Sequence, residues 1–193
     1  MSSLLLIDYL QRCHAHFQLL NVAPAETSAA LARRLPRPLS RNFAKVVMLR
    51  IDGELMMVVL PAHYRVSLEA VRVYLGASAI EMASERQFRN HFPRCELGAL
   101  PPIAHIFGLR GFLASVFDES SDIVFKAGSH SELVRMRFTE FQRLAHLDPI
   151  GEGVVPQLRS ANSVRRRLLP KLELAGFAAA AETRRPLPVM LRR

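Results

Sequence analysis

The spacing of apolar positions changes several times along the chain, and each change predicts an element. Leu6, Leu10, Phe17 and Leu20 share one helical face, so the pattern predicts an amphipathic helix over residues 4–20, broken by Asn21-Val22-Ala23-Pro24. A shorter helix is expected over residues 26–35, ended by Pro36 and Pro38. Ala44-Lys45-Val46-Val47-Met48-Leu49-Arg50-Ile51 is β-branched and apolar, as a buried strand requires. Asp52-Gly53 follows as a strong hairpin signal, with the return strand over residues 55–60. Ser67 is placed to cap a helix ending near residue 75, with Glu69 in its first turn and Gly76 as its stop.

Further on, residues 79–82 read as a short strand, and Ser84-Glu85-Arg86-Gln87 has the capping-box spacing of a brief helix running toward His91. Short strands are predicted over residues 103–107, 112–117, 123–125 and 132–136. Thr139-Glu140-Phe141-Gln142 repeats the capping-box spacing and opens a final helix through residue 147. Asp148-Pro149 is expected to end the folded core. Beyond it no period is sustained apart from a helical segment over residues 168–177, so most of residues 151–193 reads as flexible. No internal repeat is visible.

With 193 residues, half of them hydrophobic, the chain can bury one sizeable core. No run reaches the roughly 18 apolar residues of a membrane span, and Ser3-Leu4-Leu5-Leu6-Ile7 is too short for a signal segment. The chain is therefore expected in the cytoplasm, away from membranes. Cys13 and Cys95 stand alone, which argues for free thiols in a reducing compartment rather than a disulfide or a zinc site. The net charge of +9 is uneven: residues 151–193 hold nine Lys/Arg against three Asp/Glu, two thirds of the excess. Such a tail suits a polyanion, because neutralised phosphates release counterions.

Three features carry candidate chemistry. Lys45 opens an otherwise apolar strand, where its ammonium either meets a phosphate or carbonyl at the sheet's rim or simply snorkels to water. Gly98-Ala99-Leu100-Pro101-Pro102 cannot continue a helix or a central strand. A glycine there lets backbone approach a ligand, prolines fix the loop's shape, and rigid amides can stabilise an oxyanion. Gly128-Ser129-His130 is a turn between strands, its histidine either facing a pocket or merely solvated. The remaining histidines do not converge with metal-ligand spacing, and no P-loop, dinucleotide fingerprint or nucleophile elbow is present.

In this order, these features resemble the YbaK/prolyl-tRNA synthetase insertion-domain family of small aminoacyl-tRNA deacylases, over about residues 4–147. The resemblance implies a mixed α/β fold, a curved and mainly β core wrapped by helices, as a domain over residues 1–148. Residues 149–193 would be a basic extension. It implies hydrolysis of the ester joining a wrong amino acid to tRNA, with no metal or cofactor. The partner would be mischarged tRNA, with a synthetase that delivers it as a second partner. Lys45, Gly98 and Pro102 would be the catalytic residues. Val46, Ala99, Leu100, Pro101, Gly128, Ser129 and His130 would hold the substrate. The alternative is a module of the same fold that binds tRNA without hydrolysing it.

Overall fold

The Asp52-Gly53 turn organises the centre of the molecule. In the computed structural model, which describes residues 4–157 apart from residues 26 and 38, both turn residues have positive φ, 48° and 92°. That is the type I′ requirement, and it matches the twist of the strands it joins. These strands are β2 (Ala44–Ile51) and β3 (Glu54–Pro61), paired antiparallel from Ala44 opposite Pro61 to Ile51 opposite Glu54.

Around this hairpin the chain sets out α1 (Leu4–Arg12), β1 (Phe17–Asn21) and α2 (Ser28–Ala32) before it. After it come β4 (Tyr64–Val66), α3 (Leu68–Leu75), β5 (Ile80–Met82), α4 (Glu85–Phe88), β6 (Arg110–Ala114), β7 (Asp122–Lys126), β8 (Glu132–Arg137), α5 (Phe138–Ala145), β9 (Asp148–Ile150) and β10 (Val154–Pro156). A five-stranded sheet runs β5-β2-β3-β6-β9, antiparallel through the hairpin and parallel from β3 to β9. A three-stranded antiparallel sheet runs β1-β8-β7, and β4 pairs with β10. The fold is thus mixed α/β with helices flanking a mixed β core.

β3 lies between two partners, and Met57, Val58, Val59 and Leu60 are completely buried. A strand covered on both faces reads as a continuous apolar run rather than an alternating one, as Leu55–Leu60 does. Leu6 and Leu10 of α1 and Phe138, Phe141 and Leu144 of α5 fill the same core, with the Phe125 and Phe141 rings 5.5 Å apart.

Several elements differ from the sequence pattern. The first helix stops at Arg12, His14 adopts φ 51°, and residues 17–21 form β1 against β8. Pairing with a distant strand overrides a helical period that Phe17 and Leu20 happened to continue. Residues 104–107 form a 3₁₀ turn, not a strand: Gly108 closes it at φ 69°, and Pro101-Pro102 ahead of it bring no N–H for a ladder. The last helix starts at Phe138 with Arg137 at its N-cap, so Thr139 lies inside the helix and cannot form the expected capping box, while Glu140 accepts the His16 backbone N–H. The second helix is confined to Ser28–Ala32, capped by the Thr27 hydroxyl.

The folded segment also continues past Asp148-Pro149. β9 carries the buried Ile150 alongside β6, and β10 closes on β4. The expected boundary at residues 148/149 therefore falls inside β9. The helical and flexible segments foreseen between residues 158 and 193 lie outside the described residues.

Gly153 shows how tightly β10 is held. It has φ 86°, and an added Cβ would press on Val71 Cγ2 and lie 2.9 Å from the Val71 backbone nitrogen. Gly153→Ala is expected to cost about 3 kcal/mol through overpacking and left-handed strain. Thermal unfolding should register this as a fall of roughly 10 °C.

Candidate active site

A strand has two hydrogen-bonding edges, and one edge of β2 is fully occupied by β3. On the other edge, β7 touches only its start, through the Phe43–Val124 bridge, and β5 joins only from Leu49. Between these neighbours, Lys45, Val46 and Val47 have no strand partner on this second edge among the described residues. A cleft of about 320 Å³ occupies the gap. Lys45, Val46, Val47 and Met48 form one wall, Gly98, Leu100 and Lys126 another, and Met82, Glu85 and Phe88 line the side toward α4. The walls are mostly apolar, with two lysines and a carboxylate set into them.

Lys45 is half-buried, and its ammonium donates to the Ala62 carbonyl at 3.3 Å. Desolvation lowers its pKa below the usual lysine value. His63, next in the chain after Ala62, is likewise lowered, by burial first and then by the Lys45 and Arg41 charges. This end of the hairpin is therefore electropositive.

The Gly98 loop is a turn in which the Ala99 N–H donates to the Glu96 carbonyl at 2.9 Å, with Gly98 in its third position at φ 76°. A positive φ there is the type II pattern and favours glycine. Prolines have no N–H and the Ala99 donor is spent inside the turn. Only the Gly98 and Leu100 amides of this loop thus lack a protein acceptor among the described residues, and both residues line the cleft. Ala99, Pro101 and Pro102 are buried behind them and support the loop. Gly98→Ala should cost only about 1–2 kcal/mol, since an added Cβ meets just His130 Cε1, at 3.7 Å, and the penalty is left-handed strain. Turnover is expected to fall about 100-fold in a protein that stays folded, because the amides lose their aim. Parallel assays of melting and of initial rate check it.

The Gly128-Ser129-His130 turn packs directly on this loop. The Glu96 N–H donates to the Gly128 carbonyl at 2.8 Å, and the His130 N–H donates to Glu96 Oε2 at 2.7 Å. Ser129 is buried and spends its hydroxyl on Glu132, accepting from the backbone N–H at 3.1 Å and facing Oε2 at 3.3 Å. Both ring nitrogens of His130 meet protein groups, Nε2 the Leu97 carbonyl at 2.8 Å and Nδ1 the Lys126 ammonium at 3.1 Å.

The three segments singled out in the sequence are thus brought together, but not equally. Lys45, Val46, Gly98 and Leu100 face the cleft, whereas Gly128, Ser129 and His130 brace it from behind. Lys126 was not among the expected residues. Its one signal in the sequence is the one that marked Lys45, a lysine at the end of an apolar strand. The apolar wall of Met48, Met82 and Phe88 left no such signal, because aliphatic and aromatic residues at these spacings read as core.

The mixed α/β fold is that of an editing domain. The chain belongs to the aminoacyl-tRNA editing domain family, whose sequence model matches residues 22–144. Among solved structures, a candidate trans-editing enzyme for prolyl-tRNA synthetase superposes with a TM-score of 0.66 at 15% identity, covering 77% of this chain and 94% of that one. A candidate signal transduction protein from Marinobacter aquaeolei VT8 gives a TM-score of 0.63 at 15% identity, over 95% of this chain and 38% of that one. No curated protein matches the chain in sequence.

Proposed function

We propose that the domain is a trans-editing deacylase, hydrolysing the ester between a wrongly attached amino acid and the terminal adenosine of tRNA. The observation that carries this reading is the meeting of Lys45 with the unspent Gly98 and Leu100 amides on one cleft. The ester is already activated by the vicinal ribose hydroxyl, so catalysis needs placement, an oxyanion site and a water rather than a covalent nucleophile. Lys45 holds the phosphate or ester end of the terminal nucleotide as a point charge. The loop amides receive the negative charge that develops on the carbonyl oxygen as water attacks. Glu85 offers a carboxylate to the substrate's ammonium group, and Val46, Met48, Met82 and Phe88 admit an apolar side chain.

Family membership supports action on aminoacyl-tRNA, and the likeness to a candidate trans-editing enzyme supports a synthetase as the source of the substrate. An apolar pocket separates side chains differing by one methylene by only about 1–3 kcal/mol. A graded preference among small apolar amino acids is therefore expected. The test is turnover on a panel of mischarged tRNAs, with binding of the same tRNAs measured alongside. Release of amino acid faster than the spontaneous rate supports the reading. Tight binding without release identifies a tRNA-binding module instead.

A further inference from the structure

Lys126 is a lysine in a place where lysines are seldom found. Its side chain is buried at 4 % exposure, at the end of β7, and its ammonium donates to the Gly98 carbonyl at 3.0 Å. At 3.1 Å it also meets His130 Nδ1. An ammonium has no lone pair, so it is the donor in this contact and Nδ1 the acceptor. The other ring nitrogen then carries the proton, as it must, because its partner at 2.8 Å is the Leu97 carbonyl, which can only accept. The two constraints are independent and agree. Burial lowers the Lys126 pKa, and the nearby Glu96 carboxylate opposes part of that shift.

We propose that Lys126 is a positioning residue, whose ammonium pins the Gly98 carbonyl and locks His130 as its Nε2–H tautomer so that the unspent Gly98 and Leu100 amides keep a fixed aim. The Ala99 N–H bond to the Glu96 carbonyl holds one side of the loop's tip, and the Lys126 ammonium holds the other. Gly98 is the residue with the freest backbone in the turn, and its own carbonyl is the group that Lys126 grips. If that carbonyl swings, the peptide plane it shares with the Ala99 N–H swings too, and the amides on either side lose their direction. Holding His130 completes the clamp, since its ring reaches the Leu97 carbonyl one residue earlier in the same turn. A single buried charge thus ties the end of β7 to the loop on its far side.

The role in turnover rests on the deacylase reading above, whereas the clamp itself does not, and the experiment separates the two. Nitrogen-15 spectra of the full wild-type chain should show His130 with a protonated Nε2 and a bare, hydrogen-bonded Nδ1. The opposite tautomer overturns the proposal without any variant being made. In Lys126→Met, which keeps the length and loses the donors, the Nδ1 resonance should move toward that of an unbonded nitrogen. The Ala99 amide should exchange at least tenfold faster, while melting still reports a folded protein. With mischarged tRNA as substrate, kcat should fall about 100-fold, the usual cost of small misplacement, with KM within about twofold. Lys126→Arg, which keeps the charge, should recover part of kcat. A folded Lys126→Met with unchanged kcat, or with a changed KM alone, overturns the positioning role. A wild-type protein with no hydrolysis defeats the deacylase reading, and the spectra and exchange rates still decide the clamp.

Discussion

Lys45→Ala is expected to lower kcat/KM on mischarged tRNA about 100-fold, the equivalent of one charge-assisted hydrogen bond of about 3 kcal/mol. Stability should change by about 1 kcal/mol or less, because the ammonium makes a single 3.3 Å bond to a neutral carbonyl. The pH dependence supplies a second check. Burial lowers the Lys45 pKa, so its positive charge is lost at a lower pH than that of a free lysine. Binding of a non-hydrolysable aminoacyl-nucleotide should therefore weaken as pH rises through that lowered value. In Lys45→Arg the guanidinium stays charged across the range, so its alkaline weakening should disappear. Undiminished turnover in a folded Lys45→Ala protein would remove Lys45 from the site.

Two truncations should have opposite consequences. Ending the chain after Asp148 removes the buried Ile150, the β9 pairing with β6 and all of β10. Loss of a buried isoleucine side chain costs about 2–5 kcal/mol by itself. Against a total stability of about 5–15 kcal/mol, the loss of both strands as well should leave the domain largely unfolded. Ending it after Gln157 keeps every described strand and should leave melting nearly unchanged. It removes nine Lys/Arg and two Asp/Glu, and the slope of log affinity for tRNA against log salt should flatten by about two or more. An unchanged slope would mean that this segment makes no phosphate contacts.

The hairpin was legible because its signal is local: Asp52-Gly53 supplies the turn, and both strands carry mainly apolar runs, Val46–Leu49 and Leu55–Leu60. The same holds for α3, stopped by Gly76 in the left-handed conformation, and for α4 with its Ser84–Gln87 capping box. β1, β9 and β10 were illegible because their partners lie far away in the chain. The latter two are three residues long and contain Pro149 and Pro156, which usually argue against a strand. In the site, Lys45 and the glycine loop could be read because each breaks its local pattern. The different duties of His130 and Lys126 could not, because they depend on which carbonyls the folded loop turns toward them.

The pairing order also bears on how the protein is made. β2 and β3 can close on each other as soon as they leave the ribosome, but the far edge of β3 waits for β6, and β1 waits for β8. At about 5–20 residues per second, the stretch from the end of β3 to the end of β6 takes roughly 3–11 s to synthesise. Throughout that interval the nascent chain carries Leu55-Met56-Met57-Val58-Val59-Leu60 with one side of its backbone unpaired. Such a segment is sticky toward other nascent chains, so early synthesis is the stage at which this protein most needs a chaperone.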